Sequence, residues 1–153
     1  QDGKAVYNSL GTQKGEATNF IAVGSSAHGV LNDDYYFQNY YEQNLYREAI
    51  DNGRFPIYRG LKMKRDDVIR REVIRHIRTF FNLEFDFFEK KYELLFKQYF
   101  KKELKNLISF EIDQLIQINE NNVVLSPLGE HFSPQIANVF DTYNDQKFYE
   151  KNY

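Results

Sequence analysis

The sequence predicts a mainly α fold with a small β hairpin, in the element order of a winged helix. Three observations predict it. Lys64–Asn82 carries one apolar stripe, Ile69, Val73, Ile77 and Phe80/Phe81, at helical spacing. The stretch "LEFDFFEKKYELLFKQYFKKELKNLISFEIDQLI" holds two further helical patterns, about Phe87–Tyr92 and about Leu94–Leu107. The stretch "LIQINENNVVLSPLG" then reads as a hairpin, with Leu115, Ile116 and Ile118 on one strand, Val123–Leu125 on the other and Asn119–Asn122 as the turn. Three helices followed by a two-stranded wing is the winged-helix order.

Residues 1–19 are polar and glycine-rich and read as loop, with a short extended piece at Ala5–Tyr7. "FIAVGSSAHG", Phe20–Gly29, reads as a buried strand feeding a turn of small residues, the kind of turn that lets backbone approach a ligand. A plain strand-to-loop junction is the other reading. Asn32–Asp34 can cap a helix whose apolar face includes Tyr36, Tyr40, Leu45, Ala49 and Ile50, ending at Asn52–Gly53. Pro56 forbids helix in "RFPIYRGLKM", which reads as extended. Asp66 and Asp67 suit the first turn of the Lys64–Asn82 helix, where the helix dipole favours acids. Arg71, Arg75 and Arg78 share a second face of it, which is either simply solvated or suited to an acidic ligand. Gly129 opens the approach to a last helix around Pro134–Thr142, and the tail 144–153 is polar and aromatic.

Composition narrows the function classes. The chain has 153 residues, enough for one domain and part of another, and 14 Phe and 12 Tyr but no Trp, so rings must build much of the core. Its 20 basic and 22 acidic residues give a net charge of −2, against a general grip on nucleic acid. Lys97, Lys101, Lys102 and Lys105 are the best support for DNA binding through the long helix, and equally describe a solvated face. With no Cys, the chain offers no disulfide, thiolate zinc site or cysteine-ligated iron–sulfur cluster, which fits the cytoplasm. No apolar run approaches the ~20 residues of a membrane span, so no membrane partner is expected. The first residue is Gln, and the chain reads as a piece of something longer.

Self-contained catalysis is not visible. His28, His76 and His131 are far apart and lack metal-binding spacing, and no Walker loop, dinucleotide fingerprint or nucleophile elbow occurs. No catalytic residue and no metal ligand is therefore expected.

Four segments in order carry a resemblance. They are "GTQKGEATNFIAVGSSAHG", "YRGLKMKRDDVIRREVI", the hairpin "LIQINENNVVLSPLG" and "FDTY" at Phe140–Tyr143. Together, over about residues 7–143, they resemble the C-terminal part of the oxygen-independent coproporphyrinogen III oxidases, radical S-adenosylmethionine enzymes of haem biosynthesis. The second segment is the specific one.

The resemblance implies oxidative decarboxylation of two propionates of coproporphyrinogen III to vinyl groups. It implies S-adenosylmethionine and a 4Fe–4S cluster as cofactors of the whole enzyme, the hard chemistry being theirs. The cluster cysteines would lie in an N-terminal partial (β/α) barrel absent from this chain, which alone is expected to be inactive and to bind neither cofactor. Residues 1–30 would be a remnant strand of that barrel or its exit segment, and 31–143 the helical cap. The missing barrel and the tetrapyrrole are the implied partners.

Ser26, Ala27 and His28 match the family turn beside S-adenosylmethionine. Arg59, Arg70 and Arg71 match family positions and are implied either to face the substrate carboxylates, which arginine binds with two parallel hydrogen bonds, or to be structural. The chain departs from the family at Thr12, usually Tyr, and at Glu130 and Pro134, both usually Arg. Those departures admit a diverged paralogue. A haem-carrying relative and a winged-helix binder of nucleic acid are the alternatives; the first requires a Soret band on adding haemin, the second an affinity that falls steeply with salt.

Overall fold

The structure, a computed structural model, describes residues 5–8, 11–14, 19–32 and 34–143. The chain divides into two compact units, residues 15–68 and residues 1–14 with 69–153. The tail 144–153 lies outside the described residues.

The unit 15–68 is built on a three-stranded antiparallel sheet. Strands β1 (Ala5–Asn8) and β2 (Gly11–Lys14) precede it as a separate hairpin, which includes the extended piece expected at Ala5–Tyr7. The sheet itself is β3 (His28–Leu31), β4 (Tyr35–Asn39) and β5 (Ile57–Lys62), in the order β3-β4-β5. Helix α1 (Gln43–Asp51) is inserted between β4 and β5. Gly29 pairs with Phe37 across β3 and β4, and a Cβ at Gly29 would lie 2.1 Å from the Phe37 ring, so a side chain there would have to displace that ring.

Two expectations fail in this unit. The helix expected to start at Asn32–Asp34 starts only after Glu42. The intervening "YYFQN" is a strand because its aromatic residues find partners on both sides, in β3 and β5, and that pairing outweighs a local helical spacing. The buried strand expected over Phe20–Gly24 is reduced to a single bridge, Phe20 with Val30. Ile21 and Val23 are 73% and 85% exposed, because nothing in the unit covers them.

The other unit holds the hydrophobic core. Helix α2 (Arg65–Phe80) supplies Ile69, Val73 and Ile77, close to the stripe read from the sequence. Phe81, at φ 54, ends it and leads into β6 (Asn82–Glu84). Helices α3 (Phe85–Tyr92), α4 (Phe96–Tyr99) and α5 (Lys101–Ile112) follow.

Phe85 stacks on Phe96 at 4.6 Å, Phe96 meets Phe100 at 4.8 Å and Phe100 meets Phe140 at 5.3 Å. The single helix expected over Leu94–Leu107 is thus two, divided at Phe100. Its backbone leaves helical geometry at φ −104, ψ 29, while its ring is wholly buried between those of Phe96 and Phe140.

The hairpin is present as β7 (Ile116–Ile118) and β8 (Asn122–Leu125). It is part of a three-stranded sheet of order β6-β8-β7, so the fold has more strand than the one hairpin expected. Ser126 caps α6 (Pro127–His131) by accepting the Gly129 amide at 3.0 Å, with Pro127 in the first turn. Helix α7 (Ser133–Asn138) starts near Pro134 and stops four residues short of Thr142. A Cβ at Gly129 would fall 1.8 Å from the Leu115 carbonyl oxygen, so this glycine lets α6 close on the hairpin.

Candidate functional site

The turn Gly24–His28 is held by the chain segment that follows it in space. Gly24 has φ 104 and Ser26 φ 64, both left-handed, which a serine adopts only when its surroundings hold it. The holding groups all come from β4 and α1 or the residue between them. The Ser26 amide donates to the Tyr40 carbonyl at 2.8 Å, and the Asn39 amide to the Ala27 carbonyl at 2.9 Å. The Asn39 side chain is 2% exposed and donates to the carbonyls of Gly24, at 3.0 Å, and Ala22, at 3.3 Å. The Gly24 amide donates to the Tyr46 hydroxyl at 3.0 Å.

Sheet register lines up three polar side chains beside this turn. His28 stands opposite Gln38, and Gln38 opposite Arg59. Cross-strand partners project to the same face of a sheet, so the three form one row. Arg59 Nε donates to Gln38 Oε1 at 2.9 Å, and Gln38 Nε2 donates to the Ser26 carbonyl at 3.3 Å. Ser26, His28 and Arg59, read separately from the sequence, therefore sit around one residue, Gln38. His28 and Ser26 are exposed, and Ala27 is half-buried.

Arg70 and Arg71 belong to the other unit. Arg70 is mostly buried, pairs with Glu103 at 2.8 Å and donates to the Phe140 carbonyl at 3.3 Å. Its guanidinium also lies 5.3 Å from the Phe100 ring centroid. Arg71 is half-buried, and its charge acts on the Tyr92 hydroxyl.

The next residue of the helix, buried Glu72, gathers Arg75 at 2.6 Å, Lys91 at 2.8 Å and the Tyr92 hydroxyl. Burial pulls the Glu72 carboxyl up, but Lys91, Tyr92 and Arg75 outweigh it and hold it below the usual range. Tyr92 is pushed up, by burial and then by the carboxylate. His76, 4.0 Å from Glu72, is enclosed by the rings of Phe80, Phe87 and Phe88. Burial takes it down to about 4.

Sequence reasoning missed Gln38, Asn39 and Glu72. Gln38 and Asn39 carry no motif, and their importance depends on register. Glu72 was hidden among the charges of α2. Glu130 and Pro134, two of the departures noted in the sequence, are exposed at α6 and α7.

Comparison with known proteins agrees with the family resemblance. The chain is 34% identical over 132 residues to the oxygen-independent coproporphyrinogen III oxidase of Helicobacter pylori strain J99, covering 86% of this chain and 28% of that protein. It is 33% identical over 130 residues to the oxidase of the same name from Escherichia coli K12, covering 85% and 28%. It superposes on the solved coproporphyrinogen III oxidase (HemN) of Escherichia coli, a radical SAM enzyme, with a TM-score of 0.87 and 31% identity, over 93% of this chain and 32% of that one.

The chain is homologous to the C-terminal part of the oxygen-independent coproporphyrinogen III oxidases. It spans between a quarter and a third of the length of these relatives. No family model matches it. Among the described residues no helix is long and apolar enough to cross a membrane, and no cluster of three His, Asp or Glu could hold a metal.

Proposed function

We propose that this chain is the cap portion of a radical S-adenosylmethionine oxidase that converts coproporphyrinogen III propionates to vinyl groups. The observation that carries the reading is the superposition, TM-score 0.87 over 93% of the chain at 31% identity. In this reading residues 1–30 are the exit from a barrel and 31–143 the cap. The exposed Ile21 and Val23 suit burial against that barrel, the first partner.

The cofactors belong to the whole enzyme. With no Cys, the chain supplies no thiolate to a 4Fe–4S cluster. The turn fits S-adenosylmethionine in one respect: Ser26 and His28 are exposed on backbone that is already fixed, so little order is lost on contact. S-adenosylmethionine, when bound in the whole enzyme, would supply the radical chemistry. Ser26, Ala27 and His28 hold and orient it. Arg59, exposed on β5, faces a propionate of the tetrapyrrole. Arg70 is structural, since its side chain is only 14% exposed and its Nη1 is bonded to Glu103 and the Phe140 carbonyl, and Arg71 sits beside it in the same helix.

Residues 65–125 are read as a winged helix, on the order α2, β6, α3, α4, α5, β7, β8. It serves as a packing module, and a cytoplasmic location fits a chain without disulfides.

The test is anaerobic reconstitution of the longer protein that carries this chain, with S-adenosylmethionine, a reductant and coproporphyrinogen III. Formation of protoporphyrinogen is expected. Cleavage of S-adenosylmethionine without that product points to a diverged paralogue, with Glu130 and Pro134 as the first positions to restore to Arg. No cleavage at all removes the radical reading.

A further inference from the structure

The turn 24–28 is secured in two ways that differ in what they sense. Asn39 is a buried anchor: its side chain and amide fix the carbonyls of Ala22, Gly24 and Ala27 from inside the unit. Gln38 lies in the exposed row, and its amide has a defined polarity. An arginine only donates, so Arg59 Nε at 2.9 Å requires the Gln38 oxygen on that side. The amide nitrogen is thereby turned to Ser26, donating to its carbonyl at 3.3 Å and, weakly, to its hydroxyl at 3.5 Å. Every donor points from Arg59 toward Ser26. That is the residue whose left-handed backbone most needs an external restraint.

We propose that Gln38 is a positioning residue for the S-adenosylmethionine contact, holding Ser26 in its left-handed conformation and passing the orientation of Arg59 to the turn. The inference rests on the reading of that turn as cofactor-facing. A Gln38→Glu change keeps the acceptor for Arg59 and removes the donor to Ser26; Gln38→Leu removes both. If the donor is what matters, the two behave alike.

Three measurements on the protein that carries this chain together with its radical SAM domain decide it. Equilibrium dialysis of S-adenosylmethionine against the cluster-free protein is expected to show binding weakened about tenfold in both variants, the scale of one hydrogen bond. Amide exchange across Gly24–His28 is expected to quicken, with the melting temperature little changed because Asn39 remains. Steady-state KM is expected to rise for S-adenosylmethionine and to hold for the tetrapyrrole.

Faster exchange with unchanged S-adenosylmethionine affinity overturns the proposal, as does unchanged exchange, or an equal rise in both KM values. A His28→Ala control separates the two levels. If it weakens dialysis binding while the Gln38 variants do not, only the positioning role falls. If it also leaves binding unchanged, the cofactor-facing reading of the turn falls.

Discussion

Arg70 on α2 and Glu103 on α5 meet at 2.8 Å with side chains only 14% and 10% exposed. Such a pair is costly to assemble and more costly to break, because removing one partner strands the other charge away from water. Glu103→Ala is expected to lower the unfolding free energy by about 3 kcal/mol, measured by urea titration of the 153-residue chain. The double change Arg70→Met with Glu103→Leu is expected to recover most of that loss, which a substrate-binding Arg70 would not allow without loss of activity in the whole enzyme.

His76 gives the fold an acid limit. Its pKa is depressed from an ordinary 6.5 to about 4, so the unfolded chain binds the proton first. The stabilising contribution is complete above about pH 6.5 and is lost as the pH falls from there toward 4. The full loss is about 3 kcal/mol. Glu72, also depressed, adds a loss in the same direction below its ordinary value of 4.5. Urea midpoints at pH 7 and pH 4 are expected to show the drop, and His76→Gln to flatten its upper part.

Two glycines should respond differently to alanine. At Gly129 the added carbon meets backbone, the Leu115 oxygen at 1.8 Å, which cannot swing away. Gly129→Ala is expected to cost about 3 kcal/mol by thermal melting. At Gly29 the nearest atom is the Phe37 ring at 2.1 Å, with the Phe20 carbonyl behind it at 2.8 Å. Gly29→Ala alone is expected to destabilise, and adding Phe37→Leu to relieve it in part.

Phe100 is the ring on which the divided helix turns. Phe100→Ala removes contacts to Phe96, Tyr99 and Phe140 together and is expected to cost about 4 kcal/mol. A loss below about 1 kcal/mol by chemical denaturation would mean the ring sequence is not a structural spine.

The two halves of the chain differ in how far their sequence could be read. Helix α2 and the hairpin were legible because their apolar residues follow one period and bury one face. "YYFQN" was misread because Tyr36 and Tyr40 happen to be spaced for a helix, while strand pairing is decided by residues 57–62, far along the chain. The break at Phe100 was invisible, since the same spacing serves a straight helix. At the candidate site, Ser26, Ala27, His28 and Arg59 came from family motifs. Gln38 did not, because its part depends on facing His28 and Arg59 at once.

The uneven distribution of buried side chains has a consequence for cooperativity. The clustered core lies entirely within residues 69–140, whereas among the described residues of the unit 15–68 only Ala49 and Pro56 are buried apolar groups. The latter unit is stitched mainly by backbone and amide hydrogen bonds that water can replace. Its strands sit at the low end of the local opening free energies, and the chain by itself should lose order in two steps, residues 15–68 first. The row His28, Gln38, Arg59 thus rides on the portion of the molecule that unfolds first, so a ligand that binds only its ordered form protects that unit most.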